Sequence, residues 1–334
     1  MKNFIKIIER ALARNMFFAL RWLISRMPYP IFRIFAFFFS LLGQVFMHKK
    51  RKLALENLKK AYGEEKSSEE FLQISKDCFN YFGKGMVDLL YLLDRPKEII
   101  ENVKIEGKEI LDEALAKGNG VVFVSGHFGS FILMYLRMIL EGYKINIIMR
   151  RTRDSAFEKH ISSFRQEKGM HTIYALPPRP CVQKSLKALR HNEILFILLD
   201  QNFGGEGRLF VDFFGQKAAT AAGPVVFASR TKSPILSIFI MKDQETIVPK
   251  GQLSRNKIVI HPEIVLDEYE DKDEKIYKNV QKITKVIEQQ VRKVPSEWGG
   301  WMHKRWKSKT VQEQEKIDRE IEEDGNNRKK FEKV

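Results

Sequence analysis

Cysteine is scarce in this sequence: Cys78 and Cys181 are the only two among 334 residues. Neither belongs to a CxxC pair or to a His/Cys ligand spacing, which excludes a disulfide framework and a zinc site and fits a reducing cytoplasm. A long apolar run is missing as well. The uncharged stretch Ile34–Met47, interrupted by Gln44 and preceded by Arg33, falls short of the roughly 20 residues that cross a bilayer as a helix. No small-residue cleavage site follows the first apolar segment, so the N-terminus reads as retained. Acidic residues are in deficit, with 42 Asp+Glu against 58 Lys+Arg and a formal net charge of +16, which favours anionic partners. Outside the N-terminus these cations are not interleaved with stacking aromatics or a recognition motif, so nucleic acid is not an expected partner. No internal repeat is evident.

The N-terminal region is basic and amphipathic. Lys2, Lys6, Arg10 and Arg14 recur every fourth residue, while Phe4, Ile8, Leu12 and Phe17 occupy other faces. With the phenylalanine-rich segment that follows Pro28 and Pro30, and the flanking "HKKRK", residues 1–50 read as membrane-associated helices that lie in an anionic interface. Residues 52–94 keep helical apolar spacing, with breaks predicted at Gly63 and at Gly83–Gly85. Beyond Pro96 short β-rich runs, "VVFVSG", "INIIMR", "ILFILLD", "PILSIFIM" and "KIVIHPEIV", alternate with helical stretches. Apolar on both faces, they predict an α/β fold with a mostly parallel central sheet flanked by helices over residues 51–307. Residues 308–334 are almost wholly charged and read as a solvated tail.

His127 follows "VVFVSG" and precedes a helix predicted to begin near Ser130, which puts it at the carboxyl end of a strand, where ligands bind in open α/β sheets. A neutral imidazole there can take a proton from an alcohol. A structural histidine at a strand end accounts for the position equally well. Neither cysteine has a base nearby in sequence, so packing is expected for both.

Four blocks go further: "RKLALENLKKAYGEE", "SGHFGSF", "LLDQNFGGEGRLFVDFFGQKAATAAGPVVFASRT" and "PSEWGGWMHKRWK". In order and spacing they resemble the lipid A biosynthesis acyltransferase family, within the lysophospholipid acyltransferase superfamily, over about nine-tenths of the chain. The resemblance implies transfer of a fatty acyl chain from acyl carrier protein, or acyl-CoA, to a hydroxyl of a lipid A precursor or related lipid. It implies a monomeric enzyme on the cytoplasmic face of the inner membrane, with neither cofactor nor metal. Its signature is a histidine followed after four residues by a carboxylate; His127 matches the histidine, but Ile132 stands at the acid's position.

An acid from elsewhere is therefore expected to orient His127. Asp200 in "LLDQNFG" ends another predicted strand on the same sheet edge, with Glu206 as a second candidate and a capping role as the alternative for Asp200. Loss of activity, leaving a silent lipid-binding protein of the same fold, or a histidine working alone would also accommodate Ile132. The expected substrate-binding set is Gly129 and Ser130 through their backbone amides at a helix N-terminus, Arg150 as the family's strand-end arginine, Gln201, and Arg305. His303 is expected near a headgroup phosphate with Lys304 and Arg305, and a role of this block as an interfacial anchor through Trp301 and Trp306 fits equally well. The fatty chain is expected in an apolar slot beside Phe128, Phe131 and Leu133.

Overall fold

The computed structural model describes residues 47–310 apart from 153, 206 and 247–251, together with scattered positions between 12 and 34. Two helices open the main body. Helix α1 (His48–Tyr62) stops at Gly63, whose positive φ of 53° suits glycine. Helix α2 (Ser68–Leu92) starts in a capping box in which Ser67 and Glu70 satisfy each other's backbone N–H groups. The break predicted at Gly83–Gly85 does not occur, and α2 runs through it. Each glycine costs a helix only about 1 kcal/mol, whereas α2 buries Phe71, Cys78, Val87, Leu89 and Leu92, each stabilising by roughly 1.5–3 kcal/mol.

Helix α3 (Pro96–Asn102), strand β1 (Val103–Glu106) and helix α4 (Lys108–Ala116) lead to β2 (Val121–Ser125). There follow α5 (Phe131–Leu140), β3 (Ile145–Met149), α6 (Ser155–Glu167), β4 (Met170–Tyr174), α7 (Pro178–Arg190) and β5 (Ile194–Leu198). A hairpin of β6 (Arg208–Phe213) and β7 (Gln216–Ala221) forms its own two-stranded sheet. The chain continues with α8 (Gly223–Thr231), β8 (Ile235–Lys242), β9 (Asn256–Glu263) and α9 (Lys272–Lys293), then two 3-10 turns, Pro295–Glu297 and Gly299–Met302.

The main sheet has seven strands in the order β1-β9-β8-β2-β5-β3-β4. Every neighbouring pair is parallel except β8–β9, so the expected mostly parallel sheet is present with one antiparallel pairing. Central β2 is buried along its whole length, which is why its sequence is a continuous apolar run without alternation. Before α1, Ile24 and Phe32 are buried in the same core cluster as Val87 and Tyr91 of α2, and Trp22, Leu23, Ile31 and Ile34 are exposed. Among the described residues no helix is long and apolar enough to cross a membrane. The basic stripe from Lys2 to Arg14, most of the second apolar segment and the tail beyond Thr310 lie outside the described residues.

Candidate active site

Strands β2 and β5 are parallel neighbours in a register that sets Ser125 opposite Leu198. His127 and Asp200 each lie two residues further on, so the ladder itself delivers both to the same sheet edge. His127 Nδ1 is 2.7 Å from Asp200 Oδ1, and the His127 backbone N–H donates to Asp200 Oδ2 at 2.7 Å. Nδ1 therefore carries the proton that is donated to the carboxylate, which leaves Nε2 as the basic nitrogen. Gly126 makes the approach feasible: a Cβ there would sit 3.2 Å from Asp200 Oδ2 and 3.0 Å from the Phe128 ring.

Burial alone would lower the His127 pKa, but the charge and hydrogen bond of Asp200 outweigh it and hold the imidazole above its ordinary value. Burial would raise the Asp200 pKa, yet the His127 imidazole, the His127 amide and Trp298 hold its carboxyl below the usual carboxylate range. Both directions favour the same charged pair.

The C-terminal segment clamps the histidine loop. Gly299 N–H donates to the His127 carbonyl at 2.8 Å and Gly129 N–H to the Glu297 carbonyl at 3.0 Å, which makes Phe128 and Trp298 a bridge. Trp298, fully buried, donates its indole N–H to Asp200 Oδ2 at 2.7 Å. Asp200 thus receives three N–H groups within 2.7 Å, two from His127 and one from Trp298. Trp298 was not among the residues singled out from the sequence; its quoted block "PSEWGGWMHKRWK" is the signal that carried it.

Gln201 follows Asp200, and its Nε2 is 3.2 Å from His127 Nε2. His303 also stands over the site, its ring centroid 6.2 Å from that of His127. Arg150 is exposed at the carboxyl end of β3, the strand beside β5. Arg151 stacks over Tyr174, its guanidinium carbon 4.2 Å from the ring centre. Glu206 lies outside the described residues.

Several expectations need correction. Arg305 does not face a headgroup: it is fully buried and donates to the carbonyls of Gln201 and Ala219 and to Thr220 Oγ1, so its guanidinium braces the loop after Asp200. Gly129 has no free amide, because its N–H is spent on Glu297; its φ of 44° and the Tyr81 hydroxyl, 2.6 Å from where a Cβ would stand, explain the glycine. Trp301 and Trp306 are buried and anchor no interface, and Trp301 packs on Tyr62 and Phe214.

No backbone hydrogen bond holds the Ser130 N–H among the described residues, and the next amides along the chain belong to α5. Its first turn bond runs from Leu133 N–H to the carbonyl of Ser130 at 2.7 Å, so the N–H groups of Phe131 and Ile132 precede the ladder at a positive helix end. Phe131 meets the His127 ring edge-on at 5.0 Å. Phe128 is fully buried in the core, and Leu133, also buried, meets the polar cavity beside α2 and not the apolar cleft. The apolar cleft at this loop, about 80 Å³, is instead walled by Phe131, Ile132 and the α2 residues Phe82, Met86 and Leu89. Ile132 is thus a wall of the cleft.

A buried, thrice-held carboxylate behind an imidazole, at a helix N-terminus and an apolar cleft, is suited to acid–base chemistry on an amphiphile. The chain is similar to several known proteins. Palmitoleoyltransferase of lipid A biosynthesis from Escherichia coli (strain K12) is 22% identical over 300 residues, 87% of this chain and 90% of that protein. The lauroyltransferase of the same strain is 22% identical over 292 residues, 86% of this chain and 89% of that protein. The solved 1-acyl-sn-glycerophosphate acyltransferase of Thermotoga maritima covers 75% of this chain and 96% of its own, with a TM-score of 0.35 and 12% identity. Residues 6–308 match the family described as Bacterial lipid A biosynthesis acyltransferase, and with nearly the whole chain inside that match, the protein belongs to this family of enzymes.

Proposed function

We propose that this acyltransferase moves a fatty acyl group from a thioester of acyl carrier protein, or of coenzyme A, to a hydroxyl of a lipid A precursor, working as a monomer at the cytoplasmic face of the inner membrane. The observation that carries the chemistry is the bond from His127 Nδ1 to Asp200, which leaves Nε2 turned to the substrate. Nε2 takes the proton of the acceptor hydroxyl, displacing Gln201 from the lone pair. The alkoxide oxygen bonds to the thioester carbonyl carbon, and the negative charge moves to the carbonyl oxygen. The Phe131 and Ile132 amides, with the Gln201 amide, are the donors at hand for that oxyanion. Its collapse breaks the C–S bond, and the leaving thiolate takes back the proton held by His127. Throughout, Asp200 keeps the ring in one tautomer and offsets its transient positive charge.

The test is purified protein in detergent with an acyl thioester and a lipid A precursor, with the product read by mass spectrometry. Acyl transfer is expected, and His127→Ala should slow it by roughly 100- to 10,000-fold with folding retained. Near-normal turnover by that variant would overturn the mechanism, and no transfer to any lipid would overturn the function.

A further inference from the structure

A polar opening lies beside the catalytic loop, on the side that faces α2. It is a cavity of about 390 Å³ whose wall includes Ser130, Glu297, Asp88 and Asn256, with Lys84 and Lys242. Its burial is graded: Glu297, Asp88 and Asn256 are 6%, 3% and 6% exposed, whereas Lys84 and Lys242 are exposed. The lysines therefore mark the mouth, and Asp88, Glu297 and Asn256 the inner end; Ser130, three residues from His127 in sequence, is part of the same wall. The Ser130 hydroxyl is buried and has no hydrogen-bond partner among the described residues, and such a group asks for a ligand or a water. Gly85 and Ser130 line both this cavity and the apolar cleft of Phe131 and Ile132. The polar cavity and the apolar cleft are thus neighbours that share two wall residues, one of them at the start of α5.

That junction restricts the occupant. A thioester donor has its carbonyl between an alkyl chain on one side and a polar arm on the other, and the carbonyl must lie at the catalytic histidine. We infer that the cavity holds the pantetheine arm of the acyl donor, a chain of amides and hydroxyls ending in a phosphate, with the acyl chain leaving through the cleft and the phosphate at Lys84 and Lys242. The inference rests on the acyl-transfer reading above and adds where the donor sits. The wall suits this chemistry. Asn256 and Ser130 offer hydrogen bonds to amides and hydroxyls of a neutral chain, and burial raises the pKa of Asp88 and of Glu297, which moderates the negative charge of the wall. A compact phosphate is better met by the lysines at the mouth than by the acid-bearing interior. Acyl carrier protein and coenzyme A share this arm, so one site serves either source.

The experiment is a ladder of donors with the same acyl chain: the coenzyme A and carrier-protein thioesters, the pantetheine thioester without phosphate, and the N-acetylcysteamine thioester, which keeps only the first amide. In the wild type kcat/KM should fall at each truncation, by about tenfold or more overall. Lys84→Ala with Lys242→Ala should abolish the step between the phosphorylated and unphosphorylated arms. Ser296→Tyr, which fills the cavity from its wall, should abolish the step between pantetheine and N-acetylcysteamine, with thermal unfolding used to check the fold. Preference between the two phosphorylated donors identifies the source. Equal kcat/KM along the wild-type ladder overturns the arm site and leaves acyl transfer standing. A rise in acceptor KM in these variants, with the donor ladder unchanged, overturns it by assigning the cavity to the acceptor. If no thioester is used at all, it is the acyl-transfer reading that fails.

Discussion

His127 Nδ1 and Asp200 Oδ1 stand 2.7 Å apart across 73 residues of sequence, and the parallel register of β2 with β5 is what joins them. The acid that the resemblance implies at position 132, with four residues between it and His127, is replaced here by Ile132, and the strand neighbour supplies a carboxylate that needs no helix turn to reach the ring. Two residues working as a unit are non-additive. Asp200→Asn should therefore slow acyl transfer by roughly 100- to 10,000-fold, and the double variant with His127→Ala should fall within about threefold of the worse single one. Independent, multiplying losses measured by steady-state kinetics would separate the two roles.

The same contact sets a pH dependence. Only the neutral imidazole accepts a proton, so kcat/KM should rise with pH through the His127 pKa. Because Asp200 holds that pKa up, the rising limb should lie above about 6.5, the ordinary imidazole value. Asp200→Asn removes the charge and leaves burial, which acts to lower the pKa, so the limb should move to lower pH even as the maximum falls. An unmoved limb in the variant would mean that another group titrates.

Trp298 positions the pair without touching substrate. Its indole N–H is one of the donors that hold Asp200 Oδ2, and a hydrogen bond to a charged group contributes about 1.5–3 kcal/mol. Trp298→Phe keeps an aromatic ring against Phe213 and Trp301 but removes that donor. Turnover should drop by roughly tenfold or more with acceptor KM little changed, and the rising pH limb should move because the Asp200 charge is less firmly held. A drop in thermal stability with turnover and pH profile intact would reduce Trp298 to packing.

What the sequence disclosed follows the strength of local signals. Continuous apolar runs such as "VVFVSG" and "ILFILLD" mark buried parallel strands, and the ends of those two strands pointed to His127 and Asp200. β1, only four residues of mixed burial, and the β6–β7 hairpin with its polar ends carried too little periodicity to be read. Arg305 misled because a basic run near the C-terminus reads as surface, whereas the two carbonyls and the hydroxyl that accept from it come from 85 to 104 residues earlier. Glycines in α2 suggested a break that tertiary burial overrides. The clamp of Gly299 and Glu297 on the histidine loop is a pairing across 168 to 172 residues, which no spacing rule reports.

Ile132 tests whether the missing acid can be restored. It stands in the apolar cleft with Phe82, Met86 and Leu89, and His127 already has its carboxylate. Ile132→Glu should therefore lower turnover, since a carboxylate brought into an apolar wall costs a few kcal/mol or is neutralised. Ile132→Val should stay within about twofold, because it keeps the wall apolar at the cost of one methylene. Faster transfer by the glutamate variant, measured beside Asp200→Asn, would show that the histidine lacks its orienting acid in the wild type.

The proposed attachment to the membrane is expected of the segment before α1. Trp22, Leu23, Ile31 and Ile34 are exposed, Arg26 stacks on Trp22 with its guanidinium carbon 4.3 Å from the ring, and Lys2, Lys6, Arg10 and Arg14 repeat at helical spacing in the sequence before them. Such a segment binds an anionic surface by two forces of different salt sensitivity, apolar insertion and attraction to headgroups. Raising the salt from about 0.1 to about 1 M shortens the screening length from roughly 10 to roughly 3 Å, so sedimentation with anionic vesicles should weaken markedly while some binding remains. Replacing Lys2, Lys6 and Arg10 by glutamate should remove the salt-sensitive part, and Trp22→Ser with Ile31→Ser the remainder. These substitutions avoid the buried Ile24 and Phe32, so the α/β body is expected to keep its unfolding temperature and its activity on detergent-dispersed acceptor. Vesicle binding that ignores both salt and the charge reversal, and yields only to detergent, would contradict an interfacial segment and favour one that inserts deeply.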